Sequence, residues 1–160
     1  MTRSVRSPRV QIAAVGRLRA PFDVAGSEFE ERLARMLPFR VDEVAAESLQ
    51  RGEARARRSE AERLSAVLAR NAWRVALSPA ARAPVSSEAF AAWLEKRLAS
   101  GRPVVFLVGG AAGLDEDLIA DCEERLGLGP LTMPHQLARV VLTEQLYRAA
   151  CTLQGHPYPH

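Results

Sequence analysis

Val104-Val105-Phe106-Leu107-Val108-Gly109-Gly110-Ala111-Ala112-Gly113-Leu114 is the stretch that decides how this chain folds. Five apolar residues in a row leave no polar face. That pattern suits a central strand covered on both sides of a parallel sheet. The glycines after it end the strand and lead towards a helix. In an open α/β sheet, ligands gather at the carboxyl ends of the strands, and glycine there lets a ligand approach the backbone. The turn is not G-x-G-x-x-G and no G-K-[ST] follows, so neither the dinucleotide nor the P-loop fingerprint applies.

Working outward, Val10 to Val15 reads as a second buried strand, ended by Gly16. Pro21 and Gly26 are expected to bracket a loop. Phe29, Leu33 and Leu37 share a helical face, and Pro38 stops that helix. Phe39 to Val44 alternates as a strand, Arg51 to Arg70 has helical spacing, and Trp73 to Leu77 forms a further strand. Ser86 or Ser87 caps a helix carrying Phe90, Trp93, Leu94 and Leu98. The spacing predicts a helix from Asp115 to Leu126 with acids at its positive end. A Gly/Pro-rich loop follows from Gly127 to Pro134, then a long helix from His135 to Leu153. Strand and helix alternate about five times. The fold class is therefore α/β, a mostly parallel sheet flanked by helices, expected as a single domain over residues 1–160.

Composition narrows the function classes. The chain has 160 residues, 48% of them hydrophobic, which excludes intrinsic disorder. Two cysteines, Cys122 and Cys151, exclude a disulfide scaffold and match no zinc spacing, so no metal is expected. No apolar run is long enough to span a membrane, and the run after the basic start is too short for a signal peptide. A cytoplasmic location is the expectation. The net charge of +3 is uneven: residues 1–80 carry 15 basic and 10 acidic side chains, and residues 81–160 carry 7 and 9. A basic first half permits contact with a polyanion.

The informative residues lie in the last third. Gly127-Leu128-Gly129-Pro130-Leu131-Thr132-Met133-Pro134 fixes an unusual backbone path. Its N–H and C=O groups suit an adenine edge or an amino-acid zwitterion. In the helix after it, His135, Arg139 and Glu144 could form a catalytic set, or Arg139 and Glu144 could be structural partners. The chain ends Gly155-His156-Pro157-Tyr158-Pro159-His160, stiffened by two prolines, which favours a working tail over a discarded one.

Together, Leu107 to Leu114, Leu131 to His135, Arg139 to Ala149 with its Glu144-Gln145-Leu146-Tyr147-Arg148-Ala149 block, and His156-Pro157-Tyr158 resemble the ribosomal RNA large subunit methyltransferase H family of the SPOUT superfamily. The resemblance implies a C-terminal deep trefoil knot over about residues 104–155. It implies a homodimer with the knot at its interface and S-adenosylmethionine bound in the knot. The implied activity is methylation of N3 of a pseudouridine in helix 69 of 23S rRNA, on the assembled 70S ribosome. By position, Leu77, Gly110, Gly129, Pro130, Leu131, Thr132, Met133 and Pro134 would bind the cofactor. His135 and Arg139 would face the substrate. Arg148, His156, Tyr158 and His160 would serve catalysis, with His160, Tyr158 or water held by them taking the N3 proton. Arg51, Arg55, Arg57, Arg58 and Arg63 are the candidate phosphate contacts.

The chain departs from the family pattern in four places. Ala111 and Ala112 stand where the first loop usually has Pro-Glu. Ser78 replaces an aspartate. An arginine-rich segment from Arg51 replaces one rich in lysine and glycine. Pro159 interrupts the tail. Two rivals follow: a catalytically silent RNA-binding module on the same scaffold, and a Rossmann-like enzyme for a small metabolite, which would need a dinucleotide fingerprint the chain lacks.

Overall fold

A computed structural model describes residues 7–158. Arg3, Arg6, Pro159 and the predicted catalytic His160 lie outside the described residues. Five strands, β1 (Val10–Val15), β2 (Phe39–Val44), β3 (Trp73–Leu77), β4 (Val104–Val108) and β5 (Glu124–Leu126), form one sheet in the order β2-β1-β4-β3-β5. Every neighbouring pair is parallel, with Val10 opposite both Phe39 and Val104 and Trp73 opposite Val104. All residues of β1 and β4 are buried, as the unbroken apolar run of β4 requires.

Side chains alternate between two cores. Val10, Ile12, Val104 and Phe106 face α1 (Phe22–Met36), α3 (Ser87–Leu98) and α5 (His135–Leu153), meeting Leu33, Leu94 and Leu146. Ala13, Val15, Val105 and Leu107 face the other way, under Leu64 of α2 (Glu53–Val67) and Leu118 of α4 (Glu116–Ala120). Phe106 is fully buried, with the Trp93 ring 6.0 Å away. Truncating such a ring to alanine costs about 3–5 kcal/mol. Gln11 is also fully buried and fully satisfied: its amide donates to Asp42 and to Val67 O, and accepts from Ala69 N. It ties the end of α2 to the middle of the sheet.

Three local expectations are corrected. The helix expected from Asp115 to Leu126 is only Glu116–Ala120, capped by Asp115 Oδ1. The chain then turns into β5, which pairs with β3 and covers an edge that would otherwise be bare. Glu124 at its start takes the Trp93 indole N–H at 2.7 Å and an ion pair from Arg97, anchoring it to α3. The loop expected between Pro21 and Gly26 is the first turn of α1, where Gly26 is buried. A side chain at Gly26 would collide with Leu18, so glycine serves packing here. The segment from Arg51 is not one helix: a short 3₁₀ turn, Leu49–Arg51, precedes α2, with Gly52 at φ 97° between them.

Candidate functional site

The loops after β4 and β5 meet beside the end of β3. They enclose a cavity of about 520 Å³, within the usual range for small-molecule sites. Three segments build its wall: Leu77 to Pro79, Val108 to Leu114, and Leu128 to His135 without Pro130. Ile119 and Ala138 complete it. Backbone geometry makes this wall. Gly113 N–H donates to Gly110 O at 3.0 Å, closing a tight turn. A side chain on Gly109 would come within 2.6 Å of the Gly113 carbonyl carbon and 2.8 Å of Leu114 N, so only glycine fits. Gly129, at φ 138°, takes a conformation that a side chain would strain.

The structure thus brings Leu77, Gly110, Gly129, Leu131, Thr132, Met133, Pro134 and His135 around one cavity. Pro130 stands in the same loop but is not on the wall. His135 opens α5, directly after Pro134. The cavity offers apolar side chains from Leu77, Leu128 and Met133, interleaved with bare backbone. No acidic residue lines it.

The remaining predicted residues sit elsewhere. Arg139 is 4% exposed and does not line the cavity. It donates to Glu43 at 2.6 Å and Glu30 at 2.8 Å, clamping β2 and α1 onto α5. Glu144 is not its partner; Glu144 pairs with Arg148 at 2.6 Å, one turn on. Arg148 lies over the Tyr158 ring, 4.5 Å from its centroid, and Tyr158 meets Tyr147 edge-on at 4.9 Å. Burial, with Glu144 close by, pushes the Tyr158 hydroxyl above its ordinary pKa. His156 is exposed; its backbone N–H donates to Cys151 O at 2.9 Å and fixes the start of the tail.

Arg148, His156 and Tyr158 line a separate cleft with Ser87 and Thr152. A smaller hollow between the two, touched by Val141 and Gln145, shares Leu128 with the first cavity and Ser87 with the cleft. The three depressions therefore run along one face of α5. His135 and Arg148 are 13 residues apart on it, about 20 Å at 1.5 Å per residue.

The arginines sort themselves. Arg63 pairs with Glu47 at 2.6 Å, and Arg57 pairs with Glu53 and donates to Ala112 O at 3.3 Å; both hold the fold. Arg51, Arg55 and Arg58 are exposed and make no ion pair among the described residues. They follow the carboxyl end of β2 in the chain, as exposed Arg17 and Arg19 follow that of β1. Sequence reasoning missed Arg17, Arg19 and Ile119, and also Glu60, a carboxylate that packs under Gly110. Glu60 did leave a trace in the sequence: it interrupts an apolar stripe of Ala56 and Leu64 at four-residue spacing.

A family described as "Predicted SPOUT methyltransferase" matches residues 9–160. Ribosomal RNA large subunit methyltransferase H of Gluconacetobacter diazotrophicus is 42% identical over 149 residues, covering 93% of this chain and 95% of that protein. The chain belongs to the SPOUT methyltransferases. The proteins of the same name from Stenotrophomonas maltophilia and Thiobacillus denitrificans are 40% and 39% identical, each covering 94% of this chain and 97% of its own length. This SPOUT chain has no helix among the described residues long and apolar enough to cross a membrane. The described residues also contain no group of three or more His, Cys, Asp or Glu side chains placed to hold a metal ion.

Proposed function

We propose that this protein is a cytoplasmic enzyme that transfers a methyl group from S-adenosylmethionine to N3 of a pseudouridine in helix 69 of 23S rRNA, on the assembled 70S ribosome. The observation that carries this reading is the joint cavity of the two glycine turns, joined along α5 to the Arg148–Tyr158 cleft. The relatives' shared name supplies the class of substrate. The cavity suits the cofactor. The tight turn that glycine at 109 permits leaves bare backbone on the wall to face a heterocycle edge, and Leu77, Leu128 and Met133 supply apolar faces. When bound, the cofactor supplies an electrophilic methyl group on a sulfonium. Leu77, Gly110 and Gly129 to Pro134 would hold it, Pro130 by keeping the loop's path. A knotted path over about residues 104–155, within one domain over 1–160, belongs to the same reading.

The protein's own task is placement and proton handling. Holding N3 in line at near-attack distance can supply about 7–11 kcal/mol. The N3 proton must leave, and a positioned acceptor is worth about 10²–10⁴-fold. Tyr158 keeps its proton near neutrality, as an ordinary tyrosine does, and burial shifts it further the same way; it orients the base as a donor. The proton passes to His160 or to water held by the tail, and His156 fixes that tail. Arg148 offers a charge to the nucleotide, and His135 faces it at the mouth of the cavity. Arg139 acts at one remove, positioning α5 through Glu30 and Glu43.

Within one copy the tail lies about 20 Å along α5 from the cavity mouth. A homodimer removes that gap: a two-fold axis across the α5 face sets each tail against the partner's cavity. Leu131 is 78% exposed and Val85 96% exposed, apolar surface that a second copy would cover. Arg51, Arg55 and Arg58, with Arg17 and Arg19, would take RNA phosphates.

Mass spectrometry of 23S rRNA from a strain lacking the gene tests the reading. Loss of N3-methylpseudouridine, restored by the wild-type gene, is the expected result. Its persistence would refute it. Ala111 and Ala112 favour one other reading, a silent RNA-binding module, because the first loop has no carboxylate of its own. Calorimetric titration with S-adenosylmethionine separates the two: the silent module gives no heat of binding.

A further inference from the structure

Helix α2 reaches the first glycine turn twice. Arg57 donates to Ala112 O at 3.3 Å. One turn later, Glu60 packs under Gly110. Glu60 is 4% exposed, the one buried carboxylate among the described residues. Its Oε1 accepts the Glu47 N–H at 3.0 Å, while its Oε2 is buried without a partner. Both oxygens lie against Gly110: a side-chain carbon there would be 3.5 Å from each and 2.9 Å from Val15 Cγ1. Gly110 is itself part of the cavity wall, and no lining residue is acidic. An acid with an idle oxygen thus stands one glycine behind the wall. Burying an acceptor without a partner is costly. Trp73 Nε1 and Arg139 Nε are also buried without a partner, but neither residue lines the cavity or carries an acceptor there; Gln11, equally buried, has every polar atom of its amide satisfied.

We propose that Glu60 is a charge-selecting positioning residue: acting through the Gly110 backbone, its carboxylate favours a cationic ligand in the cavity over a neutral one of the same shape. The proposal rests on the reading of S-adenosylmethionine as that ligand. The sulfonium disappears on methyl transfer, since S-adenosylhomocysteine is a neutral thioether at the same atom. A carboxylate behind the wall, poorly screened by water, attracts the first and gains nothing from the second. Loading of the donor and release of the spent product would both be favoured. The carboxylate that the first loop lacks at Ala112 is thus offset from a different element.

Glu60→Gln tests this, because it removes the charge and keeps an acceptor for the Glu47 N–H. Affinities of the full-length protein for S-adenosylmethionine and S-adenosylhomocysteine are measured by calorimetry. The variant is expected to bind S-adenosylmethionine about tenfold more weakly, with S-adenosylhomocysteine within about twofold. Its melting temperature without ligand should be unchanged or higher. Glu60→Asp, which keeps the charge on a shorter arm, should fall between. An equal loss for both ligands, or a ratio that does not move in either variant, would overturn the proposal alone. Wild-type protein that binds neither ligand would overturn the reading of the cavity, and the proposal with it.

Discussion

At its amino end α5 leaves Pro134 with no side-chain cap and meets a wall of glycine and proline backbone. At its other end Glu144, Arg148, Tyr147 and Tyr158 interlock through side chains. One helix thus joins a pocket whose shape is set by what side chains would collide with to a cleft whose shape is set by what side chains touch. Binding at the first end should tolerate changes at the second, because they share only the helix. Chemistry should need both. The comparison therefore separates cofactor affinity from turnover, and each prediction aims at one side of that divide.

The largest effect belongs to the tail. Deleting residues 156–160 should lower transfer by about 10²–10⁴-fold, the value of a positioned proton acceptor. S-adenosylmethionine affinity, measured by calorimetry, should change little. A matching loss of cofactor affinity would show that the two ends are one site within each copy. Mixing sharpens this. Arg148→Ala spoils the cleft, and Gly109→Leu deforms the turn that builds the cavity wall, because a side chain there collides with the Gly113 backbone. Each variant alone should be inactive. Refolded together, random dimers should recover about a quarter of wild-type turnover if each site takes its cavity from one copy and its tail from the other. Sites confined to one copy would recover nothing.

The two ends differed also in how readily the sequence revealed them. The glycine turn after β4 was legible because a fully apolar five-residue strand and a glycine cluster admit few readings. The second loop was legible for its prolines. The three-residue β5 was not, since Glu124 to Leu126 has no period to detect and exists by pairing with β3. Gly26 misled for a related reason. A glycine in a helix reads as a break until Leu18 is seen lying over it. Arg139 showed its type but not its work, because Glu30 and Glu43 come from distant parts of the chain. Glu60 was visible as an irregular acid in an apolar stripe, but the cavity wall in front of it was not.

The arginines give a smaller effect. Replacing Arg51, Arg55 and Arg58 by alanine should weaken RNA binding and reduce the salt slope by about 2, at roughly 0.7 per phosphate on single-stranded RNA. Thermal stability should hold, since none of the three makes an ion pair among the described residues. Arg63→Ala should do the reverse, lowering the melting temperature slightly through loss of the pair with Glu47 and of the hydrogen bond to Ala45 O while sparing the salt slope. Equal behaviour of the two variants in RNA binding would erase the division between bound and free arginines.

The smallest effect is the pH dependence of the docked tail. The Tyr158 hydroxyl is raised above its ordinary value of 10.0 by burial, with Glu144 adding to the rise and Arg148 opposing it. A group raised on folding contributes stability that is complete below its unfolded pKa and is lost as pH rises through the folded one. Docking of Tyr158 should therefore be constant through neutrality and should weaken only above pH 10. Ultraviolet titration of wild-type protein against Tyr158→Phe isolates its ionisation, which should begin later than that of free tyrosine. Phenylalanine keeps the ring over which Arg148 lies, so the tail should remain seated in the variant at every pH. An ionisation below the ordinary value would make Tyr158 a candidate proton acceptor. It would also remove the distinction between an orienting tyrosine and a separate base at the end of the tail.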